Sequence, residues 1–378
     1  MNDKNFVNFH ILISHSPACL NRDDMNMQKT AIFGGQRRVR LSSQSLKRAM
    51  RKSNYYAEHL GAPSIRTREL GRLQQKMVDA LKERFPEEII IKAVEWIAGK
   101  EGLPDLSVSG VAVAPWAVEE VAWFCQAIME AGEDADPKKL QRQIEKNAAS
   151  LRAALASAVD VALSGRMATS GLMTNMDGAM AVAHAITTHA VDSDIDWFTA
   201  VDDLVEEEMK QRLVGESEEG KGEQGSGHLD TQEFSAGVFY RYASLNIPHL
   251  QRNLGGASRE KALEIARHVL HMLATVVPTA KNQSTAPFNL ADFALVSFSD
   301  LPVSLANAFE EPVKEQGSGF LKPSITALVD YWRKVHAGYG LDEQAAAFAL
   351  DAVDTEPLQR FSSLPELEDW VSRGGEAS

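Results

Sequence analysis

Residues 5–15 read NFVNFHILISH and alternate between apolar and polar side chains. Phe9, Ile11 and Ile13 fall on one side of an extended segment, and polar side chains fall on the other. A period of two predicts a β-strand, here one near the centre of a sheet. After a turn at Gly34–Gly35, the sequence RRVRLS predicts a second strand.

A capped helix is predicted directly after this second strand. Ser42 or Ser43 can accept the first free backbone N–H groups of the helix SQSLKRAMRKS. Leu46, Ala49 and Met50 lie at i, i+3 and i+4 and form its apolar stripe, so the basic residues of the helix fall on its exposed flanks.

The remaining chain alternates between long helical patterns and short strand patterns. Residues 57–165 are predicted to be almost wholly helical, with helices at 67–84, 87–99, 115–132 and 137–163. A further helix is predicted over GAMAVAHAIT. Strand character appears around Ile195–Val201, in EFSAGVFYRYASLNI and in FNLADFALVSFSD, and Ser258 is a predicted N-cap. The order is compatible with an α+β core of the RRM or ferredoxin-like type that carries insertions.

Composition restricts the compartment and the class of scaffold. The cysteines, Cys19 and Cys125, stand far apart and outside any Cys/His cluster, which argues against a disulfide framework and a structural zinc site. The N-terminus is too polar for a signal peptide, and no apolar run approaches the ~20 residues that span a bilayer. We therefore expect a soluble, cytoplasmic protein with no membrane partner.

A basic segment stands out in a chain whose formal net charge is −13. No acidic residue occurs from Met25 to Ala57. Its cations, with nearby Ser and Gln side chains and a helix N-terminus, suit contacts to phosphate oxygens. A solvated helix face, or salt bridges to acids elsewhere, explains the same charges about equally well.

Three weaker features point the same way. Met167, in the glycine-bounded loop GRMATSG, could act as an apolar wedge between bases, although core methionines are commoner. The pair Trp197–Phe198 could stack on bases or pack in a core. A second basic cluster could contact another nucleic-acid strand or form an ordinary exposed helix face. It consists of Lys138, Lys139, Arg142 and Lys146.

Two segments of the sequence resemble parts of catalytic or nucleotide-binding sites, but each lacks residues that the chemistry requires. The P-loop-like segment from Gly215 to Lys221 carries three glutamates that would repel phosphates, and Gly222 replaces the required Ser or Thr. Asp23 and Asp24 could in principle hold Mg²⁺, but two adjacent acids are an incomplete metal shell. We predict no catalytic residue, no metal site and no cofactor.

Several long segments of the chain resemble one family. Residues 10–53, 162–171, 176–204, 228–247 and 253–266, which include ALSGRMATSG and HLDTQEFSAGVFYRYASLNI, are similar to the CasC-type backbone subunit of the type I-E CRISPR surveillance complex, Cascade. The similar blocks occur in collinear order over nearly the whole chain.

The resemblance implies a hand-shaped α+β protein with an RRM-like palm, helical fingers and a β-hairpin thumb. The palm would take residues 1–56, 166–188 and 241–378, the fingers 57–165, and the thumb 189–240. The expected partners are a CRISPR guide RNA (crRNA), target DNA and other Cascade subunits. About six copies would form a head-to-tail filament that kinks the guide at regular intervals and presents it for base pairing in antiviral defence.

The resemblance also transfers site residues. Guide-backbone contacts are expected from Arg22, Lys29, Ser42, Gln44, Lys47 and Arg51. Met167 matches the residue at the kink, and Trp197, Phe198 and Thr199 match thumb residues beside the displaced nucleotide. The cluster of Lys138, Lys139, Arg142 and Lys146 falls in the region that contacts target DNA.

One departure from the family is an acidic stretch near 203–227 in the thumb. From Asp202 to Glu223 it carries nine acids and three bases. We expect it to project from the hairpin tip into solvent, because acids near RNA weaken phosphate binding. Two alternatives to RNA binding remain: a metal-dependent ribonuclease that uses Asp23 or Asp24, and a protein-only oligomer.

Overall fold

The computed structural model describes residues 3–99, 109–146, 148–167, 172–192, 194–201, 226–278, 280, 285–315, 317 and 319–376. The strands are β1 (Phe6–Ala18), β2 (Thr30–Phe33), β3 (Gln36–Leu41), β4 (Ile65–Glu69), β5 (Ser109–Trp116), β6 (Met180–Val182), β7 (Ala185–Thr187), β8 (Asp194–Val201), β9 (Ser226–Asn246), β10 (Phe293–Ser299), β11 (Gln344–Ala349) and β12 (Gln359–Phe361).

Helices cover both faces of the main sheet and also form a separate group. They are α1 (Ser43–Lys52), α2 (Asn54–Leu60), α3 (Leu70–Leu81), α4 (Glu87–Ala98), α5 (Val118–Ala131), α6 (Pro137–Lys146), α7 (Ala148–Leu155), α8 (Val159–Ser164), α9 (Ile247–Asn253), α10 (Arg259–Thr275), α11 (Leu321–Tyr339) and α12 (Leu364–Ser372).

The main sheet has the strand order β12-β11-β10-β1-β9-β7-β3-β2, with β6 and β8 also paired to β9. Strands β11 and β12 are parallel, and the other pairs are antiparallel. The N-terminal strand lies between β10 and β9, as its alternating sequence predicts. The predicted α+β class is confirmed.

Both faces of the central strands are buried, in two different cores. Phe9, Ile11 and Ile13 pack into the core beneath α1, α2, α10 and α12. Leu12 faces the opposite core with α11. His10 shares that second face, where its Nδ1 lies 2.8 Å from the Tyr240 hydroxyl, and burial lowers the pKa of His10 to about 3.

A third core is built from residues between 70 and 172. It is mainly helical, as predicted, but it also contains the antiparallel pair β4–β5. The predicted helix at 67–84 begins only at Leu70, because the preceding residues pair with β5. The predicted helix 137–163 is divided into α6, α7 and α8.

The helix predicted over GAMAVAHAIT is wrong. Met180–Val182 and Ala185–Thr187 form the strands β6 and β7, and both pair with β9. The alanine-rich pattern favours a helix locally, but pairing along the long strand β9 supplies backbone hydrogen bonds that a local pattern does not reveal.

Strands β8 and β9 form an antiparallel ribbon that runs from the pair Asp194–Phe234 to the pair Val201–Ser226. Most of the predicted acidic stretch, residues 202–225, lies outside the described residues. The palm, fingers and thumb boundaries stay predictions. Within the part of the chain that the structure describes, no helix is long and apolar enough to cross a membrane.

Candidate nucleic-acid interface

Helix α1 begins at the predicted cap. The Ser42 hydroxyl accepts a hydrogen bond from the Ser45 backbone N–H at 3.2 Å. Leu46 and Met50 are buried against the sheet, which fixes the rotation of the helix. Because the cations of α1 occupy other positions of the helical wheel, they cannot join this apolar core.

These cations line one wall of a groove of about 670 Å³, hereafter the basic groove. Six of its lining residues are cationic, namely Lys47, Arg48, Arg51, Lys52, Arg66 and Lys76. Among the described residues that line it, none is acidic; the others are Gln44, Pro63, Ser64, Ile65, Val113 and Ser164. Three predicted contact residues, Gln44, Lys47 and Arg51, therefore share one surface.

The carboxylate of Asp160, on α8, lies beneath the floor of the basic groove and is buried. It accepts hydrogen bonds from the Ser64 N–H at 3.0 Å and the Ser64 hydroxyl at 2.6 Å. The Arg66 Nη2 lies 3.3 Å from Asp160 Oδ2, and the Arg51 Nε lies 3.9 Å from it. This single carboxylate leaves most of the positive charge of the groove uncompensated.

The positive charges that line the basic groove repel one another. Burial lowers the pKa of Lys47 and of Arg51, and in both cases the positive charge of Arg66 lowers the pKa further. Each charged form is therefore less favourable than in water. A bound anion would offset the repulsion from Arg66, because a nearby negative charge stabilises cations.

Further predicted residues lie at the N-terminal end of α1. The Ser42 N–H donates to Asn21 Oδ1 at 2.8 Å, and the Lys29 N–H donates to the Asn21 carbonyl at 2.9 Å. Arg22 is exposed and donates to Asn26 Oδ1 at 2.8 Å. The loop that carries Arg22 and Lys29 is thus tied to the helix N-terminus, where backbone N–H groups favour anions.

His184 is an additional residue at this end of α1, and the sequence alone does not single it out. Its Nδ1 accepts a hydrogen bond from the Ser43 N–H at 2.9 Å. Burial lowers the pKa of His184, and Arg40 and Lys29 lower it further. No local pattern could have revealed this, because β7 brings His184 to the helix from a distant part of the chain.

One member of the basic segment does not face solvent. Arg38 is fully buried and donates to the carbonyls of Thr187 at 3.0 Å and Phe309 at 2.9 Å. Its guanidinium therefore satisfies carbonyl groups inside the protein, which corrects the view of this segment as uniformly available for phosphate contacts.

Met167 is 81% exposed, although the residue before it is fixed in the interior. Arg166 forms a bidentate pair with Glu120, with N–O distances of 2.6 and 2.7 Å. The Arg166 Nε also donates to the Thr174 carbonyl at 3.0 Å. A buried anchor beside an exposed methionine fits the predicted wedge, whereas the core alternative for Met167 does not. The rest of the loop, 168–171, lies outside the described residues.

The predicted thumb residues Trp197, Phe198 and Thr199 lie in β8. Their backbone pairs with Thr231, Asp230 and Leu229 of β9 respectively. The role assigned to their side chains stays a prediction.

The predicted DNA-contacting cluster lies on α6, away from the lining of the basic groove. Lys138, Lys139 and Arg142 are exposed, and Lys146 is the last residue of the helix. Asp136 Oδ1 accepts the N–H groups of Lys138 and Lys139 at 2.8 and 3.1 Å, so it caps this helix. Lys138, Lys139 and Arg142 are thus exposed on one helix, and the partner of the cluster stays a prediction.

Asp23, which the ribonuclease alternative requires, is engaged in a local turn. Its Oδ1 accepts the N–H groups of Met25 at 2.9 Å and Met27 at 3.0 Å. Over the described ranges, no three His, Cys, Asp or Glu side chains are grouped in a way that could hold a metal ion.

Comparison with known proteins relates the chain to CRISPR-associated proteins. The sequence profile of the CT1975-like protein family matches residues 7–372. A chain of a CRISPR RNA-guided surveillance complex, pre-nicking, is 27% identical, with a TM-score of 0.76, and the match covers 98% of this chain and 100% of the other. A chain of a second CRISPR RNA-guided surveillance complex is 24% identical, with a TM-score of 0.61 and the same coverage, and it shows the shared fold. No curated protein matches the sequence.

Proposed function

The chain belongs to the CT1975-like protein family of CRISPR-associated proteins, and from this premise we propose that it is the guide-RNA-binding backbone subunit of a CRISPR surveillance complex. In this role it binds the sugar–phosphate backbone of the guide and performs no chemical step. The guide itself reads the target by base pairing.

The observation that carries this proposal is the basic groove. Six cations line it, and Asp160, the acid that pairs with Arg51 and Arg66 among the described residues, is buried. Arg and Lys contacts to phosphates supply most of the affinity of proteins that bind nucleic acid without reading its sequence. The loop with Arg22 and Lys29 extends the cationic surface beyond the N-terminus of α1.

The proposal includes the finer organisation that the sequence resemblance implies. Copies of the chain follow one another along the guide in a type I-E arrangement, which is a heterologous, non-closing contact. Met167 separates bases at each kink, and Trp197, Phe198 and Thr199 of the β8–β9 thumb lie beside the displaced nucleotide. The exposed cations of α6 contact the target DNA strand.

A co-expression experiment tests the proposal. The chain is produced with the other subunits of its complex and with a CRISPR array, the complex is purified, and its RNA is extracted. Wild-type protein should retain RNA of one uniform length. The variant Lys47→Gln with Arg51→Gln should lose it, because two phosphate contacts disappear.

A matched control removes two exposed lysines far from the groove in the sequence, Lys261→Gln with Lys334→Gln. It should retain the RNA, and circular dichroism should show that both double variants are folded. A wild-type complex free of nucleic acid would contradict the proposal. Degradation of the guide on addition of magnesium would favour the ribonuclease.

A further inference from the structure

The basic groove has a second wall, and this wall does not belong to the basic segment of the sequence. Arg66 comes from β4, Lys76 from α3 and Val113 from β5. These elements belong to the third core, which is separate from the sheet that supports α1. The groove is therefore an opening between two cores of the chain that α8 joins, since Val159 and Ala162 lie in the core of the sheet and Val161 lies in the third core.

Arg66 is held at this wall by its neighbours. Its backbone pairs with Pro115 across the β4–β5 ribbon. Its Nη2 donates to Asp160 Oδ2 at 3.3 Å, while 31% of its side chain remains exposed. A planar guanidinium has five N–H donors, so one contact to Asp160 leaves donors for a ligand.

Lys76 is positioned by the packing of α3. Leu73 and Met77, on either side of it in the helix, are buried in the third core, whereas Lys76 is exposed. Its ammonium group therefore lines the groove opposite Lys47 and the other cations of α1.

The lining between the two walls is partly apolar. Pro63 and Ile65 contribute to it, and Val113 is 56% exposed. A small inorganic anion gains no favourable contact from apolar side chains. A nucleic-acid strand alternates charged phosphates with sugars whose carbon atoms can pack on apolar side chains, so the lining favours a strand over a single anion.

We infer that Arg66 and Lys76 form a second phosphate-contacting wall for single-stranded RNA, and that Asp160 positions Arg66 for this contact. The inference rests on the proposed function and extends it, because it makes the groove a two-sided clamp. A strand in the clamp would contact α1, which packs on the sheet, and also Arg66 and Lys76 of the elements around the third core.

The test is the salt dependence of RNA binding by the purified full chain. A fluorescently labelled, single-stranded oligouridylate is titrated over a series of KCl concentrations, and log K is plotted against log[KCl]. Each lost phosphate contact should reduce the magnitude of the slope by about 0.7 for single strands.

The variant Arg66→Gln with Lys76→Gln should therefore reduce the slope by about 1.4. Because Arg66 also contacts Asp160, Lys76→Gln alone serves as a second variant and should reduce it by about 0.7. Asp160→Asn should also reduce the slope, because Arg66 loses the contact that positions it. A loss of folded protein would lower the amount of active protein but would not change the slope. Lys334→Gln is the control and should leave the slope unchanged.

The variant Lys47→Gln separates the two proposals. If it lowers the slope while the Arg66 and Lys76 variants do not, the second wall is wrong and the guide-binding function stands. If no groove variant changes the slope, both proposals fail. If polyglutamate displaces the RNA as effectively as unlabelled oligouridylate of equal charge, the groove binds an acidic protein segment and the inference is overturned.

Discussion

Replacing Glu120 by alanine should destabilise the protein strongly, because the substitution leaves the buried guanidinium of Arg166 without its counter-ion. Both side chains are completely shielded from solvent. The two carboxylate oxygens of Glu120 accept from Nη2 and Nη1 of Arg166 at 2.7 and 2.6 Å. Because solvent does not reach either side chain, bulk water cannot replace the hydrogen bonds that Arg166 would lose.

The size of the effect follows from what remains around Arg166. Contacts to Thr174 and the Pro115 carbonyl persist, but none of them carries a negative charge. Removal of one partner of a buried ion pair costs about 3–5 kcal/mol in the free energy of unfolding. The adjacent Glu119 provides a matched comparison, because its pair with Arg84 is similarly bidentate but roughly half exposed. Glu119→Ala should cost at most about 1 kcal/mol.

Urea unfolding monitored by tryptophan fluorescence measures both effects. Trp96, Trp116 and Trp123 all lie in or against the third core, so they report on the affected region. With a slope of about 3 kcal/mol per M urea, the midpoint should fall by about 1–2 M in Glu120→Ala and by less than about 0.4 M in Glu119→Ala.

The double variant Glu120→Leu with Arg166→Met tests the physical reason. Replacement of a buried ion pair by apolar side chains of similar size is often neutral or stabilising. The double variant should therefore recover most of the stability lost in Glu120→Ala. Equal losses in Glu120→Ala and Glu119→Ala, or a double variant as unstable as Glu120→Ala, would refute the argument that an unpaired buried charge is the cause.

Two further predictions concern backbone geometry and protonation. Gly34→Ala should cost about 1–3 kcal/mol more than Gly35→Ala in the same urea assay, because both residues have positive φ but only a Cβ at Gly34 would clash with the Glu310 carbonyl oxygen. Equal losses in the two variants would contradict this. Burial lowers the pKa of His10 and of His15 from 6.5 to about 3. Below pH 6.5 the unfolded chain therefore binds protons that the folded chain does not. The free energy of unfolding should fall there by up to about 1.4 kcal/mol per pH unit for each histidine. His10→Asn should reduce the measured slope of unfolding free energy against pH, and an unchanged slope would show that His10 does not contribute.

Local patterns predicted the parts of the fold that local interactions determine. The alternating strand β1, the helix capped by Ser42, the helix capped by Ser258 and the strand β10 all appear where the sequence places them. In each case the apolar period and the cap agree with the tertiary environment, so nothing competes with the local preference.

Other features depend on contacts between distant segments. The segment Met180–Thr187 adopts strands because β9 supplies pairing partners some sixty residues later in the chain. Arg38 is buried because carbonyls from β7 and from Phe309 converge on it. Within the candidate interface, the sequence predicted the wall that α1 provides. It could not predict Arg66 and Lys76, since only the packing of the third core against α1 brings them to the same groove.

The net charge of this protein is a poor guide to nucleic-acid binding, because it sums all ionisable side chains, whereas only accessible cations can contact a phosphate. Arg38 and Arg241 are buried and satisfy carbonyl groups, so neither guanidinium can contact a phosphate. The formal net charge of −13 includes the six cations of the basic groove, so the rest of the chain is more acidic than this figure suggests. If the proposed function is right, acidic parts of the surface repel RNA, whereas the cations of the basic groove and of the loop with Arg22 and Lys29 attract it, and this contrast guides a strand along them. An acidic chain that carries a cationic groove would therefore gain positional selectivity that a uniformly basic chain would lack.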